Sequence, residues 1–140
     1  MGTSASLGYT QNRKTIEVEV SSDGYPSGIG VDVIESLKRR DFETIDLSNI
    51  EVTDEPEDYV GDMSAFQYDK IMGDSGIMHS NRYIINLDKK VLEFHGGGYG
   101  IGTLHLIKEY PFQEVFDIDI DDIVKEMEYM EQNYYDSKSK

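Results

Sequence analysis

The chain has 140 residues, 38% of them hydrophobic, with ten tyrosines, five phenylalanines and no cysteine. That is enough apolar and aromatic mass for the core of one domain, and it excludes disulfides, thiolate nucleophiles and cysteine-based zinc sites. The 28 Asp and Glu against 13 Lys and Arg give a net charge of −15, a field that repels nucleic acid and anionic lipid and attracts basic protein surfaces.

Two strands are expected first. Ala5, Leu7 and Tyr9 alternate with Ser4, Ser6 and Gly8, and Ile16, Val18 and Val20 alternate with Thr15, Glu17 and Glu19. Around the polar turn Gln11-Asn12-Arg13 they read as a hairpin with one face buried. Residues 21–40, "SSDGYPSGIGVDVIESLKRR", follow with dense backbone punctuation. Gly24 of the Asp-Gly step is free to take positive φ, Pro26 presets a turn, and Ser27 stands where it can N-cap a helix. Val31, Val33, Ile34 and Leu37 form an apolar stripe, and Lys38-Arg39-Arg40 complement the C-terminal end of the helix dipole. The stretch reads as a chain reversal that seats a helix on a sheet.

Residues 41 to 62 are acidic and lack a clear period. "TIDLSNIEV", residues 44–52, is consistent with a short strand or turn, and Glu55-Pro56-Glu57 marks a break. A short element and a loop are expected from Ser64 to Ser80. "RYIINLDKKVLEFHGG" is the clearest hairpin: Tyr83, Ile85 and Leu87 alternate with Arg82, Ile84 and Asn86, and Asp88-Lys89-Lys90 makes the turn. "TLHLIKEYPF" reads as another strand ending near Pro111. Residues 119–135 form the longest helix candidate, with Ile120, Ile123, Val124, Met127, Met130 and Tyr134 in one stripe. The expected architecture is a single α+β domain over residues 1–136 with a flexible tail at 137–140. Its sheet is antiparallel, built from hairpins, with two main helices packed on it.

Several motifs imitate chemistry without completing it. "GGGYGIG" supplies Gly98 and Gly100, but Thr103 stands where G-x-G-x-x-G needs its third glycine, and a strand follows in place of a phosphate-holding helix. In "DIDIDD", Asp117, Asp119 and Asp121 match the first calcium-loop positions and Glu128 the last, yet Asp122 occupies the position that requires glycine. His79 has no spaced partner. His95 and His105 flank the glycine-rich loop and are placed to meet across a hairpin, but no third metal ligand suggests itself. "MGTSAS" fits the myristoylation pattern at Gly2 and Ser6 without a polybasic second signal. No apolar run reaches the roughly 18–20 residues that span a bilayer, and no signal-peptide pattern opens the chain. A soluble cytoplasmic protein is expected, with no cofactor, no metal, no nucleic acid and no membrane partner.

"MGTSASLGY" followed by "DGYPSGIG" resembles the small phage and bacterial proteins that begin Met-Gly-Thr-Arg and carry an Asp-Gly-Tyr-Pro-x-Gly-x-Gly turn before a helix. "RYIINLDKKVLEFHGGG" is loosely similar to that family's Tyr-rich hairpin, while the acidic middle matches nothing in it. The family has no settled activity; the resemblance implies a phage-encoded protein at work inside a bacterial cell. This chain departs from the pattern at Ser4, where the family has Arg. It departs again at Ser21-Ser22, where the family has a polar-aromatic pair that often includes His. Any chemistry those groups perform in relatives is not expected here.

The expectation that follows is a non-enzymatic accessory protein that binds and inhibits a host protein. The partner class is a defence or nucleic-acid-handling protein with a basic surface, held by nucleic-acid mimicry. The acidic stretch from Asp41 to Asp69 holds ten acids and no Lys or Arg, and a second from Glu109 to Asp136 holds ten acids and one base, Lys125. The candidate acidic face is Asp41, Glu43, Asp46, Glu51, Asp54, Glu55, Glu57 and Asp58. The aromatic alternative is a contact through Tyr99, Tyr129, Tyr134 or Tyr135, a residue type enriched at hot spots. The enzyme alternative is an N-terminal-nucleophile-like amide hydrolase or a degenerate relative of one. Loss of Met1 exposes Gly2, however, and leaves Thr3 one residue too deep to act. No catalytic residue is assigned.

Overall fold

The computed structural model describes residues 5–20, 23–44, 81–96 and 105–138. The expected elements at residues 44–52, at Glu55-Pro56-Glu57 and from Ser64 to Ser80, and the glycine-rich loop beyond Gly96, lie outside these residues, apart from Thr44 at the end of a turn described below.

β1 (Ala5–Gln11) and β2 (Lys14–Val20) form the expected hairpin, paired from Ala5↔Val20 to Gln11↔Lys14. The two residues between them, Asn12 and Arg13, both take positive φ, 54° and 65°. This is the mirror-image turn whose twist suits antiparallel strands. Arg13 does not favour that region, and its turn is clasped from outside: the Asp88 carboxylate accepts the backbone N–H of Asn12 at 2.7 Å and of Arg13 at 2.8 Å. Asp88 belongs to the turn of the second expected hairpin, β3 (Asn81–Asn86) and β4 (Val91–Gly96), and β5 (His105–Pro111) continues it antiparallel.

The sheet order is β2-β1-β3-β4-β5, and β1 runs parallel to β3, from Ala5↔Asn81 to Thr10↔Asn86. The wholly antiparallel sheet expected from hairpins is therefore corrected to a mixed sheet within an α+β fold. Alternation fixes which side chains share a face, whereas the neighbour of a strand depends on a crossover that no local pattern encodes. Here that crossover runs through α1 (Val31–Lys38).

One face of the sheet contributes Leu7, Tyr9, Tyr83, Ile85, Leu92, Phe94 and Tyr110 to the core. α1 covers it with Val33, Ile34 and Leu37, and α3 (Ile120–Lys138) with Ile123, Val124 and Met127. Between β5 and α3 lies an unexpected third helix, α2 (Phe112–Asp117), which buries Phe112 and Val115. Pro111 supplies the break that ends β5 and opens α2, because its fixed φ suits the entry to a helix. α3 continues through Lys138 and so takes in the first two residues of the expected tail.

The turn before α1 is a chain reversal, though by other means than expected. Asp23 itself takes positive φ (60°), and its carbonyl accepts the N–H of Ile29 at 2.8 Å. A Cβ at Gly28 would collide with that carbonyl, so glycine is what lets the turn close. Ser27 does not cap the helix. Pro26–Gly30 forms one π-helical turn that runs directly into α1, and no side chain caps its start. From β3, the buried Tyr83 hydroxyl donates to the Gly24 carbonyl at 2.8 Å and ties the turn to the sheet.

Candidate functional site

The acids expected to form a binding face divide sharply once their neighbours are known. Asp41 and Glu43 lie in a 3-10 turn, Asp41–Thr44, just after α1. Asp41 Oδ2 accepts from Arg39 at 2.8 and 3.1 Å and from the Ser36 hydroxyl at 3.1 Å. Glu43 lies 3.5 Å from the Arg40 guanidinium, which in turn sits over the Phe116 ring at 4.4 Å. These two carboxylates are engaged within the chain. Asp46, Glu51, Asp54, Glu55, Glu57 and Asp58 lie outside the described residues.

The second acidic stretch is partly neutralised in the same way. Lys89 reaches Glu109 at 3.3 Å, and Lys108 on β5 bridges Glu114 of α2 at 3.4 Å and Glu126 of α3 at 2.8 Å. The hydrogen bond from Lys108 holds the Glu126 carboxyl below its usual range, while burial pushes the neighbouring Tyr110 phenol upward. Glu131 accepts from Asn81 Nδ2 at 2.7 Å. Its carboxylate occupies the space a Cβ at Gly96 would fill, so a glycine at the end of β4 admits it.

Asp119, Asp121, Asp122 and Glu128 remain. Asp119 is exposed just before α3 and the other three are exposed on it, and none makes an ion pair among the described residues. Asp121 and Asp122 stand in the first turn of α3, where the helix dipole favours negative charge. Tyr129 falls seven residues after Asp122, two turns along the same side of the helix, and is 69% exposed. Of the two proposed tyrosines whose side chains are described, Tyr129 is the exposed one. Tyr134 is half-buried with its ring 5.4 Å from that of His105, and Tyr99 and the side chain of Tyr135 lie outside the described residues. Comparison of the chain with protein-family models, curated proteins and solved structures finds no match.

The histidines do not meet. His95 pairs with Leu106 and His105 with Gly96, successive ladder positions that point to opposite faces. His105 turns to Tyr134, while His95 Nε2 lies 2.9 Å from Glu93 Oε1. Asn86 Nδ2 donates to the other Glu93 oxygen at 2.8 Å and Asn86 Oδ1 accepts the N–H of Lys89 at 3.0 Å. Burial would raise Glu93, but the hydrogen bonds from His95 and Asn86 outweigh it and hold the carboxyl below its usual range. Sequence reasoning missed this chain of contacts. Its signal was Glu and His two apart on one strand, with Asn86 across the same hairpin. No group of three metal-ligating side chains occurs among the described residues.

The calcium-like run is split by helices. Asp117 closes α2 and accepts from Gln113 at 3.0 Å, and Asp121 and Asp122 open α3. No helix among the described residues is long and apolar enough to cross a membrane. Residues 1–4, where an N-terminal nucleophile would stand, lie outside the description.

Proposed function

We propose that the protein is a non-enzymatic accessory protein that binds, and by binding inhibits, a partner protein with a basic surface. One observation carries the reading. Asp121, Asp122, Glu128 and the exposed Tyr129 stand on the solvent side of α3, and the three acids make no ion pair among the described residues. On a molecule of charge −15 such a face steers a basic partner toward it and offers an aromatic anchor once contact is made. Asp121 and Glu128 lie about 10 Å apart along the helix axis, roughly the axial span of four successive phosphates on one DNA strand. That spacing suits the mimicry of nucleic acid, and it moves the proposed acidic site from the stretch after α1 to α3. With the sequence resemblance, the reading extends to a phage-encoded protein acting in the bacterial cytoplasm on a host defence or nucleic-acid-handling protein.

The test is to capture the partner from a host lysate, purify it, and rebind it with duplex DNA as competitor. Mimicry predicts a basic protein that high salt releases and that DNA displaces. A partner indifferent to both would overturn it. Loss of that partner on Tyr129→Ala would then shift the contact to the aromatic side of the same helix.

A further inference from the structure

The two edges of the sheet are built differently. β5 is interrupted by a bulge: Phe94 pairs with Lys108 and His95 with Leu106, so Ile107 has no ladder partner. It also ends at Pro111, which has no N–H to offer. Bulges and prolines are the usual means of blunting an exposed edge. β2 has neither. Its seven residues, Lys14–Val20, pair one for one with β1, and no strand among the described residues lies on its outer side. A regular edge of that length presents a row of backbone donors and acceptors to which another extended segment can add.

The sequence of β2 selects which segment. Glu17 and Glu19 occupy alternate register positions, opposite Gly8 and Ser6, and Ile16 and Val18 stand opposite Tyr9 and Leu7. A second copy pairing antiparallel along the whole of β2, Lys14 opposite Val20 and both helical layers on one side, sets Glu17 against Glu17. Like charges directly opposite are destabilising, and each copy also carries −15. A strand with Lys or Arg at alternate positions reverses the sign of those cross-strand pairs and keeps apolar residues in register with Ile16 and Val18. We infer that the outer edge of β2 docks an extended basic segment of the partner protein as an added strand. The inference rests on the reading that the protein binds a basic partner, and it adds to the contact on α3 a second one, made by an extended segment of that partner.

The probe is a peptide alternating Lys and Val over the length of β2, with a twin N-methylated on the residues whose N–H groups would face β2. Binding is followed by fluorescence anisotropy and by amide exchange across residues 14–20. The unmethylated peptide is expected to bind and to slow exchange in β2. N-methylation, or E17K/E19K in the protein, should weaken it at least about tenfold, a shift that backbone pairing plus two charge pairs readily supplies. The milder E17Q/E19Q variant should fall between, with circular dichroism confirming that both variants fold. Equal affinity for the methylated twin, protection elsewhere than β2, no peptide binding, or concentration-dependent protection of β2 without peptide would each overturn the inference. If the peptide fails while the purified partner still binds in a salt-dependent way, only the edge assignment falls. If the partner itself does not bind, the functional reading falls.

Discussion

Asp41 and Glu43 sit within reach of Arg39 and Arg40, whereas Asp121, Asp122 and Glu128 are exposed on α3 and make no ion pair among the described residues. Both groups belong to stretches that are equally acidic in sequence. The difference lies in tertiary and local partners: the first turn follows directly on a basic helix end, and the exposed side of α3 faces no other described element. Net charge thus predicts that the molecule has a negative field but not where that field is left free to act. The stretch that holds no Lys or Arg of its own is, where described, the more neutralised of the two.

That contrast can be broken most directly by reversing the free acids. Asp121→Lys, Asp122→Lys and Glu128→Lys together should weaken partner binding about 100-fold at low salt, as removal of several complementary charges does. Asp41→Asn with Glu43→Gln should change binding less than about twofold and cost at most about 1 kcal/mol of stability, the range of surface ion pairs. Titration calorimetry and thermal melts on both variants separate the two. Equal losses of binding would erase the distinction.

Next in size is Tyr129→Ala, expected to weaken the same complex about tenfold with little change in its salt dependence. A loss of salt dependence instead would mean that the tyrosine orders the acids and does not itself make the contact.

Lys108→Met sharpens the comparison by moving acids from one class to the other. Glu114 and Glu126 lose their shared cation, so affinity for a basic partner should rise about two- to threefold. Lys108 is about a third exposed, so solvent screening keeps the stability cost to about 1 kcal/mol or less. Surface plasmon resonance and a urea melt on one preparation read both.

The smallest effect is a dependence on pH. The backbone N–H groups of Arg13 and Asn12 lower Asp88 from 3.8, and Lys108 lowers Glu126 from 4.5. Groups with depressed folded values contribute stability that is present above the ordinary value and lost as pH falls through the folded one. Acid unfolding below about pH 4.5 should therefore be shallower in Asp88→Asn and in Glu126→Gln than in the parent chain. Parallel acid limbs in all three proteins would show that these pairs do not persist in solution.

The strands were legible because Leu7 and Tyr9, Tyr83 and Ile85, and Leu92 and Phe94 stand at alternate positions on the core face, although Ser6 and Ile84 on the other face are buried as well, and α3 shows itself in the spacing of Ile123, Val124 and Met127. The parallel neighbours β1 and β3 were not, since strand partnership is a long-range property. α2 was hidden because its six residues are too few to show a helical period and begin at the proline that ended a strand. Asp23 escaped because the Asp-Gly step drew attention to its glycine, while a carbonyl bond to Ile29 holds the aspartate itself in the left-handed region.

The site was less legible than the fold. The Arg39-Arg40-Asp41 juxtaposition was visible as sequence and would have warned that Asp41 has a local partner. Nothing local tells that Lys108 on β5 arrives beside Glu126 on α3, or that Glu93 and His95 pair with Asn86 across a hairpin.

The central claim is that the free acids of α3 hold a basic partner. It is tested most directly by measuring the affinity of the captured, purified partner across a salt series, for the parent protein and for D121K/D122K/E128K. The account predicts a parent affinity that falls steeply as salt rises, and a variant affinity that is low and nearly flat. A flat parent curve, or a variant that binds like the parent, would contradict it.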